Sequence, residues 1–300
     1  MGGRDPFVEV RATFPVAIAD QLMRLPKEKQ SMVEEIRLRQ GWPVSVVLPI
    51  GEQSLTGAPV TESDLREVLE RATNSSAHTV LGQMKNGFVT LKGGHRIGLC
   101  GTVSCKEDGG VLLRYISSLA VRVARAIEGQ ADALLPKLMK DGKLMNTLIL
   151  GPPGSGKTTL LRDVVRSISD GSRIRPMRVG VADERSEIAA MWKGAPQFNL
   201  GKRTDILDGC PKALALSVLL RAMNPQVLAA DEITHPDDVK AIVEAAGCGA
   251  VLLVTAHAES VADLYRRPVY RTMLEQGIFR RAVVLKRCDF VRDVEVEQLK

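Results

Sequence analysis

A chain of 300 residues with 45% apolar content can bury one large core or two of ordinary size. A formal net charge of +6 is compatible with nucleic acid, an anionic membrane face or an acidic partner and selects none of them. The five cysteines (Cys100, Cys105, Cys210, Cys248, Cys288) form no CxxC pair, which argues against a disulfide framework or zinc site and for a reducing compartment. No apolar run approaches the ~18 residues of a membrane span. Charged Arg4, Asp5, Glu9 and Arg11 interrupt any signal-peptide pattern, so the expectation is a cytoplasmic protein with peripheral membrane association left open.

The first 126 residues are predicted to form an α+β domain. Residues 34–48 suggest two short strands around Gln40-Gly41-Trp42-Pro43. Residues 61–72 predict a helix, with Thr61 and Asp64 as a capping box and Leu65, Val68 and Leu69 as one apolar stripe. Strands are expected at 88–91, 96–103 and from 111, the last two joined by an Asp108-Gly109-Gly110 turn. Apolar residues then alternate with Arg122 and Arg125 over 119–126.

A short helix over 131–140 ends at Asp141-Gly142, within a linker taken as 127–145. From 146 to 300 the texture changes to strand–loop–helix units, the mark of a doubly wound parallel sheet. Strands are expected at 147–150, 178–182, 226–230 and 251–255. Helices should follow at 157–169, 212–222, 237–246 and 259–266.

The chemistry is concentrated in this second part. Gly151-Pro152-Pro153-Gly154-Ser155-Gly156-Lys157-Thr158 matches the phosphate loop G-x-x-x-x-G-K-[ST], after an apolar strand and before the helix that Thr159 continues. Its glycines let backbone N–H groups curl around phosphate, and the helix N-terminus adds positive potential. Lys157 can reach the β- and γ-phosphates, and the Thr158 hydroxyl can ligate Mg²⁺. The strand ending Ala230-Asp231-Glu232 is a Walker B segment, in which Asp231 would hold Mg²⁺ through water and Glu232 would polarise the attacking water.

The strand at 178–182, which lies between these motifs in sequence, is read as the extra strand of the additional-strand ATPases. The expected fold is therefore a RecA-like additional-strand P-loop NTPase domain preceded by a smaller α+β domain. Acids Asp183, Glu184 and Glu187 follow that strand. Glu184 could share water activation with Glu232, or the cluster could be a salt-bridged structural element. Thr255 and His257 close the next strand, where they could sense the γ-phosphate. Arg203, Arg221, Arg122, Arg125 and Arg96 are candidates to stabilise phosphoryl charge, and Arg280, Arg281, Lys286, Arg287 and Arg292 form a basic cluster whose default is a solvated face.

Three further blocks resemble the stage III sporulation protein AA family: Asp183-Glu184-Arg185-Ser186-Glu187-Ile188, Asp205-Ile206-Leu207-Asp208-Gly209-Cys210-Pro211-Lys212, and Leu220-Arg221-Ala222-Met223-Asn224-Pro225 leading into Asp231-Glu232-Ile233. So do the stretch from Gly93 to Thr102 and Val121-Arg122-Val123-Ala124-Arg125. That family is similar to type II and type IV secretion ATPases. The resemblance implies an ATPase on the mother-cell side of the developing endospore, using ATP and Mg²⁺. It also implies a homo-oligomer, a hexameric ring, working with membrane proteins of a channel to the forespore. It places nucleotide between the two domains, so that Arg122 or Arg125 would reach the phosphates. It sets the acidic box of secretion ATPases at 183–187, their histidine motif near His257, and the arginine before their Walker B strand at Arg221. One departure stands out: secretion ATPases typically end that strand in Gly-Glu, where this chain has Asp231-Glu232.

Two other readings remain compatible with the residues. A nucleic-acid-handling ATPase suits the basic balance, but 4% aromatics leaves few stacking platforms, so nucleic acid is not expected. A non-hydrolysing ATP switch would need Glu232 to be idle.

Overall fold

A computed structural model describes residues 5–73, 87–105, 111–288 and 291–299. The chain divides into two compact units: residues 1–125 together with Trp192–Gln197, and residues 126–191 together with Phe198–Lys300.

The first unit opens with three short helices, α1 (Pro6–Arg11), α2 (Val16–Met23) and α3 (Lys27–Met32). None of them is marked by periodicity, because each is eight residues or shorter. Strands β1 (Glu35–Arg39), β2 (Ser45–Leu48) and β3 (Gly51–Ser54) follow, then α4 (Glu62–Thr73), β4 (Phe88–Thr90), β5 (Arg96–Cys105) and β6 (Val111–Arg122). They form an antiparallel sheet in the order β3-β2-β1-β6-β5-β4. Strand β3 escapes sequence reading because Glu52 and Gln53 lie on an exposed edge with no apolar alternation. Ile36, Leu38, Val46, Ile97, Leu119 and Val121 bury one face under the α4 stripe of Leu65, Val68 and Leu69. The Thr61–Asp64 capping box is formed, with Asp64 N donating to Thr61 Oγ1 at 3.2 Å and Thr61 N to Asp64 Oδ2 at 2.8 Å. The expected turn at 108–110 lies outside the described residues. Trp192–Gln197 joins this unit through the Gln197 side chain, which accepts a hydrogen bond from Gly93 N at 2.8 Å.

The second unit begins with α5 (Ala131–Leu138), two residues shorter than its sequence suggests. The chain leaves that helix to pair β7 (Met139–Lys140) with β8 (Lys143–Leu144), because Asp141 and Gly142 both take positive φ and make a tight hairpin turn. The main elements are β9 (Thr147–Gly151), α6 (Lys157–Asp170), β10 (Val179–Asp183), β11 (Thr204–Asp208), α7 (Lys212–Met223), β12 (Val227–Ala230), α8 (Pro236–Gly247), β13 (Val251–His257), α9 (Val261–Tyr265), α10 (Pro268–Glu275), β14 (Arg281–Cys288) and β15 (Val291–Gln298). The sheet order is β11-β10-β12-β13-β9-β14-β15, parallel except for the final hairpin strand.

Alternation along each strand builds three layers. Leu148, Leu150, Leu228, Leu252 and Val254 face α7, α8 and α10. Ile149, Val181, Ala229, Leu253 and Val283 face α5 and α6 on the other side. One strand assignment is corrected here. The strand set between the Walker A strand β9 and the Walker B strand β12 is β13, hydrogen-bonded to both, whereas β10 lies beyond β12. Position in the sequence is not position in the sheet, because crossover connections reorder parallel strands. Strands β11, β14 and β15 went unmarked by sequence reading. In the last hairpin, Lys286 is ion-paired with Glu295 at 2.7 Å on an exposed surface, and the side chains of Arg287 and Arg292 lie outside the described residues. Among the described residues, no helix is long and apolar enough to cross a membrane.

Candidate active site

Strands β10, β12, β13 and β9 are adjacent and parallel, so their C-terminal ends present Asp183, Asp231, His257 and Gly151 along one edge. The loop after β9 reaches Gly156 at φ +92°, and α6 starts at Lys157. Only glycine adopts that conformation without strain, which is why the loop can deliver a helix N-terminus to this edge. The Ser155 hydroxyl is buried there without a hydrogen-bond partner. An orphaned buried hydroxyl inside a phosphate loop suits an anionic oxygen acceptor.

Lys157 is 4% exposed. Its ammonium donates to Gly151 O and Pro152 O at 3.0 Å each and meets His257 Nδ1 at 2.9 Å. Burial pushes the Lys157 ammonium down from its ordinary value, while Glu232 and Asp231 pull it back up. With Nδ1 accepting from a cation, the His257 proton sits on Nε2 and points to Glu232 Oε1, 2.5 Å away. One imidazole thus joins the phosphate-loop lysine to the Walker B glutamate.

Thr158 Oγ1 donates to Asp231 Oδ2 at 2.9 Å. Thr255 donates to the other Asp231 oxygen and accepts from Glu232 N at 2.9 Å. Thr158 and Asp231, the pair expected to serve Mg²⁺, therefore meet, and their hydroxyl and carboxylate oxygens are the hard donors such an ion takes.

The acids after β10 divide in their surroundings. Asp183 is 1% exposed and accepts from the main-chain N–H of Glu187 (2.7 Å), Ile188 (3.1 Å) and Ala189 (2.8 Å). Burial pushes its carboxyl up, and those three donors hold it down. Its lone pairs cap the loop. Arg162 fixes the same loop, donating to Ile188 O at 2.7 Å and Glu187 O at 3.0 Å while stacking on Phe198. Asp183 and Glu184 both line a cavity of about 20 Å³ with Asp231, Glu232, Thr234 and Lys212, on the scale of a single water.

Two expected arginines stand elsewhere. Arg203 donates to Ser169 O at 3.2 Å, at the far end of α6 from the phosphate loop. Arg221 is in the exposed last turn of α7, nine residues or about 13 Å along the helix from Lys212. Neither joins the edge within the chain. In the first unit, Arg122 has a 72% exposed side chain 3.2 Å from Glu35. Arg96 lies over the Phe88 ring, and Arg125 is half-buried beside His95. The sequence assigns no role to Lys212, which closes the Asp205–Lys212 block and stands as a cation at the first position of a helix.

The fold and this edge define a RecA-like P-loop NTPase fold, which solved secretion and pilus ATPases share. The ATPase DotB of Legionella pneumophila superposes with a TM-score of 0.61 at 17% identity, covering 88% of this chain and 76% of that one. The pilus retraction motor PilT, solved with bound ADP, gives 0.60 at 16% identity, covering 91% and 81%. The chain belongs to the sporulation stage III protein AA family, whose model matches residues 13–295. Stage III sporulation protein AA of Bacillus subtilis (strain 168) is 40% identical over 281 residues, 93% of this chain and 91% of that protein.

Proposed function

We propose that this chain hydrolyses ATP as a secretion-type motor of endospore formation, acting from the mother-cell side on a membrane complex shared with the forespore. The observation that supports hydrolysis is the unbroken Lys157–His257–Glu232 chain, which links the phosphate loop to a carboxylate at the mouth of a water-sized cavity. Residues Gly151 to Thr159 would cradle the phosphates. Thr158 and, through water, Asp231 would hold Mg²⁺, which supplies charge neutralisation there.

ATP offers Lys157 phosphate oxygens in place of Gly151 O, Pro152 O and His257 Nδ1. His257 then loses its donor, and its grip on Glu232 changes, so phosphate arrival is felt at the carboxylate. Glu232 orients a water toward the γ-phosphorus and takes its proton as the new P–O bond forms. The bond to the β–γ bridging oxygen breaks, leaving ADP and phosphate. Glu184 is placed to share that water. Asp183 has the structural role instead. A neighbouring copy in a hexameric ring completes the charge with Arg122, whose guanidinium is exposed where Arg125 is half-buried.

Steady-state phosphate release, followed with ATP and Mg²⁺ alongside light scattering over a protein concentration series, tests this. Turnover per chain that rises with a ring-sized species supports a shared-site motor. Tight ATP binding with no turnover in any assembly state would overturn hydrolysis in favour of a switch. Stimulation by duplex DNA that weakens steeply with salt would favour a nucleic-acid motor.

A further inference from the structure

Glu232 stands at φ +32°, in the left-handed region that a non-glycine residue occupies only when its surroundings impose it. Three main-chain groups of this turn are held by side chains from three separate elements. Thr255 of β13 accepts from Glu232 N at 2.9 Å. Lys212 of α7 donates to Glu232 O at 2.5 Å. Tyr270 of α10 donates to Ile233 O.

Lys212 breaks two rules to be there. It is 6% exposed, and burying an ammonium is unfavourable unless it is paired. It also opens α7 at the end where the helix dipole favours an anion, after Pro211, which makes no side-chain cap. Helix formation would choose a different residue. Its ammonium is directed to Glu232 O and sits 3.6 Å from Glu184 Oε2, so one cation ties the acidic loop after β10 to the Walker B turn. Local rules broken without local benefit mark positions kept for function.

We propose that Lys212 is a positioning residue: it holds the main chain of Glu232 in its left-handed conformation and so aims the carboxylate at the phosphates, with Glu184 as its counter-charge. The inference rests on the hydrolytic reading above and adds to it a residue that acts through the main chain of Glu232.

Lys212→Met keeps the buried stem and removes the ammonium, and Lys212→Arg restores charge and donors. In Lys212→Met, kcat should fall about a hundredfold with KM for ATP changed less than about threefold, as expected for a misaimed reacting group. Affinity for ADP should stay within about twofold, while affinity for ADP with aluminium fluoride, a mimic of the transferring phosphoryl group, falls about a hundredfold. Lys212→Arg should recover part of both losses. Unchanged kcat and analogue affinity, or equal weakening of ADP and analogue, would overturn the proposal. A diffraction structure of nucleotide-free Lys212→Met decides the point even if wild type fails to turn over, which would sink the hydrolytic reading alone. Glu232 relaxed to negative φ supports Lys212 as its restraint, and Glu232 unmoved refutes it.

Discussion

Both units bury titratable side chains, and they treat them in opposite ways. In the first unit His95 is 1% exposed. Its Nδ1 accepts from Ala124 N at 3.1 Å, while Nε2 has no hydrogen-bond partner and lies 3.7 Å from a Glu9 oxygen. Burial, helped by the Arg125 charge, pushes His95 down to about 4. It is kept neutral as a packing residue. In the second unit Lys157, His257 and Glu232 face one another at bonding distance, so each is paired. A buried group held neutral supports a fold, and a chain that runs from a buried lysine to two partly exposed partners, where a ligand can interrupt it, supports a reaction.

The largest effect that could break this comparison is a pH dependence of the first unit. The folded His95 value lies below the ordinary 6.5, so the unfolded state binds the proton more readily as pH falls. Stability from the neutral ring is fully present above about pH 6.5 and is lost between there and about pH 4, on the order of 3 kcal/mol. Both tryptophans, Trp42 and Trp192, belong to this unit, so fluorescence-detected urea unfolding reports it selectively. His95→Asn, which keeps an acceptor for Ala124 N, should flatten that part of the pH profile. An unaltered profile would show that His95 is not held neutral.

Next comes the phosphate loop. Lys157→Ala should weaken ATP binding about a hundredfold in titration calorimetry, because a charge-assisted donor to phosphate is removed. A smaller loss is expected at Asp183. Asp183→Asn leaves one acceptor oxygen for three main-chain donors and should cost the second unit about 2 kcal/mol in calorimetric unfolding. A larger effect on kcat than on stability would instead return Asp183 to the catalytic set. The smallest change should follow Lys286→Ala: its pair with Glu295 is half-exposed on both sides and is worth less than about 1 kcal/mol.

The phosphate loop and the Walker B segment were legible because each binds chemistry and structure into one contiguous run of residues. The continuous apolar runs of β9, β12 and β13 were legible as well, since a strand buried on both faces reads as an apolar run. What could not be read was order across the sheet, which is why β13 rather than β10 proved to separate the two motif strands. Roles set by distant partners were equally hidden. Asp183 and Glu184 are neighbours in sequence and line the same cavity, yet one is held by the main chain of its own loop and the other lies 3.6 Å from the Lys212 ammonium. Lys212 read as part of a distinctive block, and its contact with Glu232, twenty residues on, exists only because α7 packs beside β12.

The account turns on Glu232, so the most direct measurement is a single-turnover chase of bound ATP in wild type and Glu232→Gln. Wild type should convert bound ATP to ADP and phosphate, while the variant binds ATP with unchanged affinity and cleaves it at least about a hundredfold more slowly. Cleavage at the wild-type rate in Glu232→Gln would contradict the assignment of this carboxylate and, with it, the reading of the Lys157–His257–Glu232 chain as the working part of the molecule.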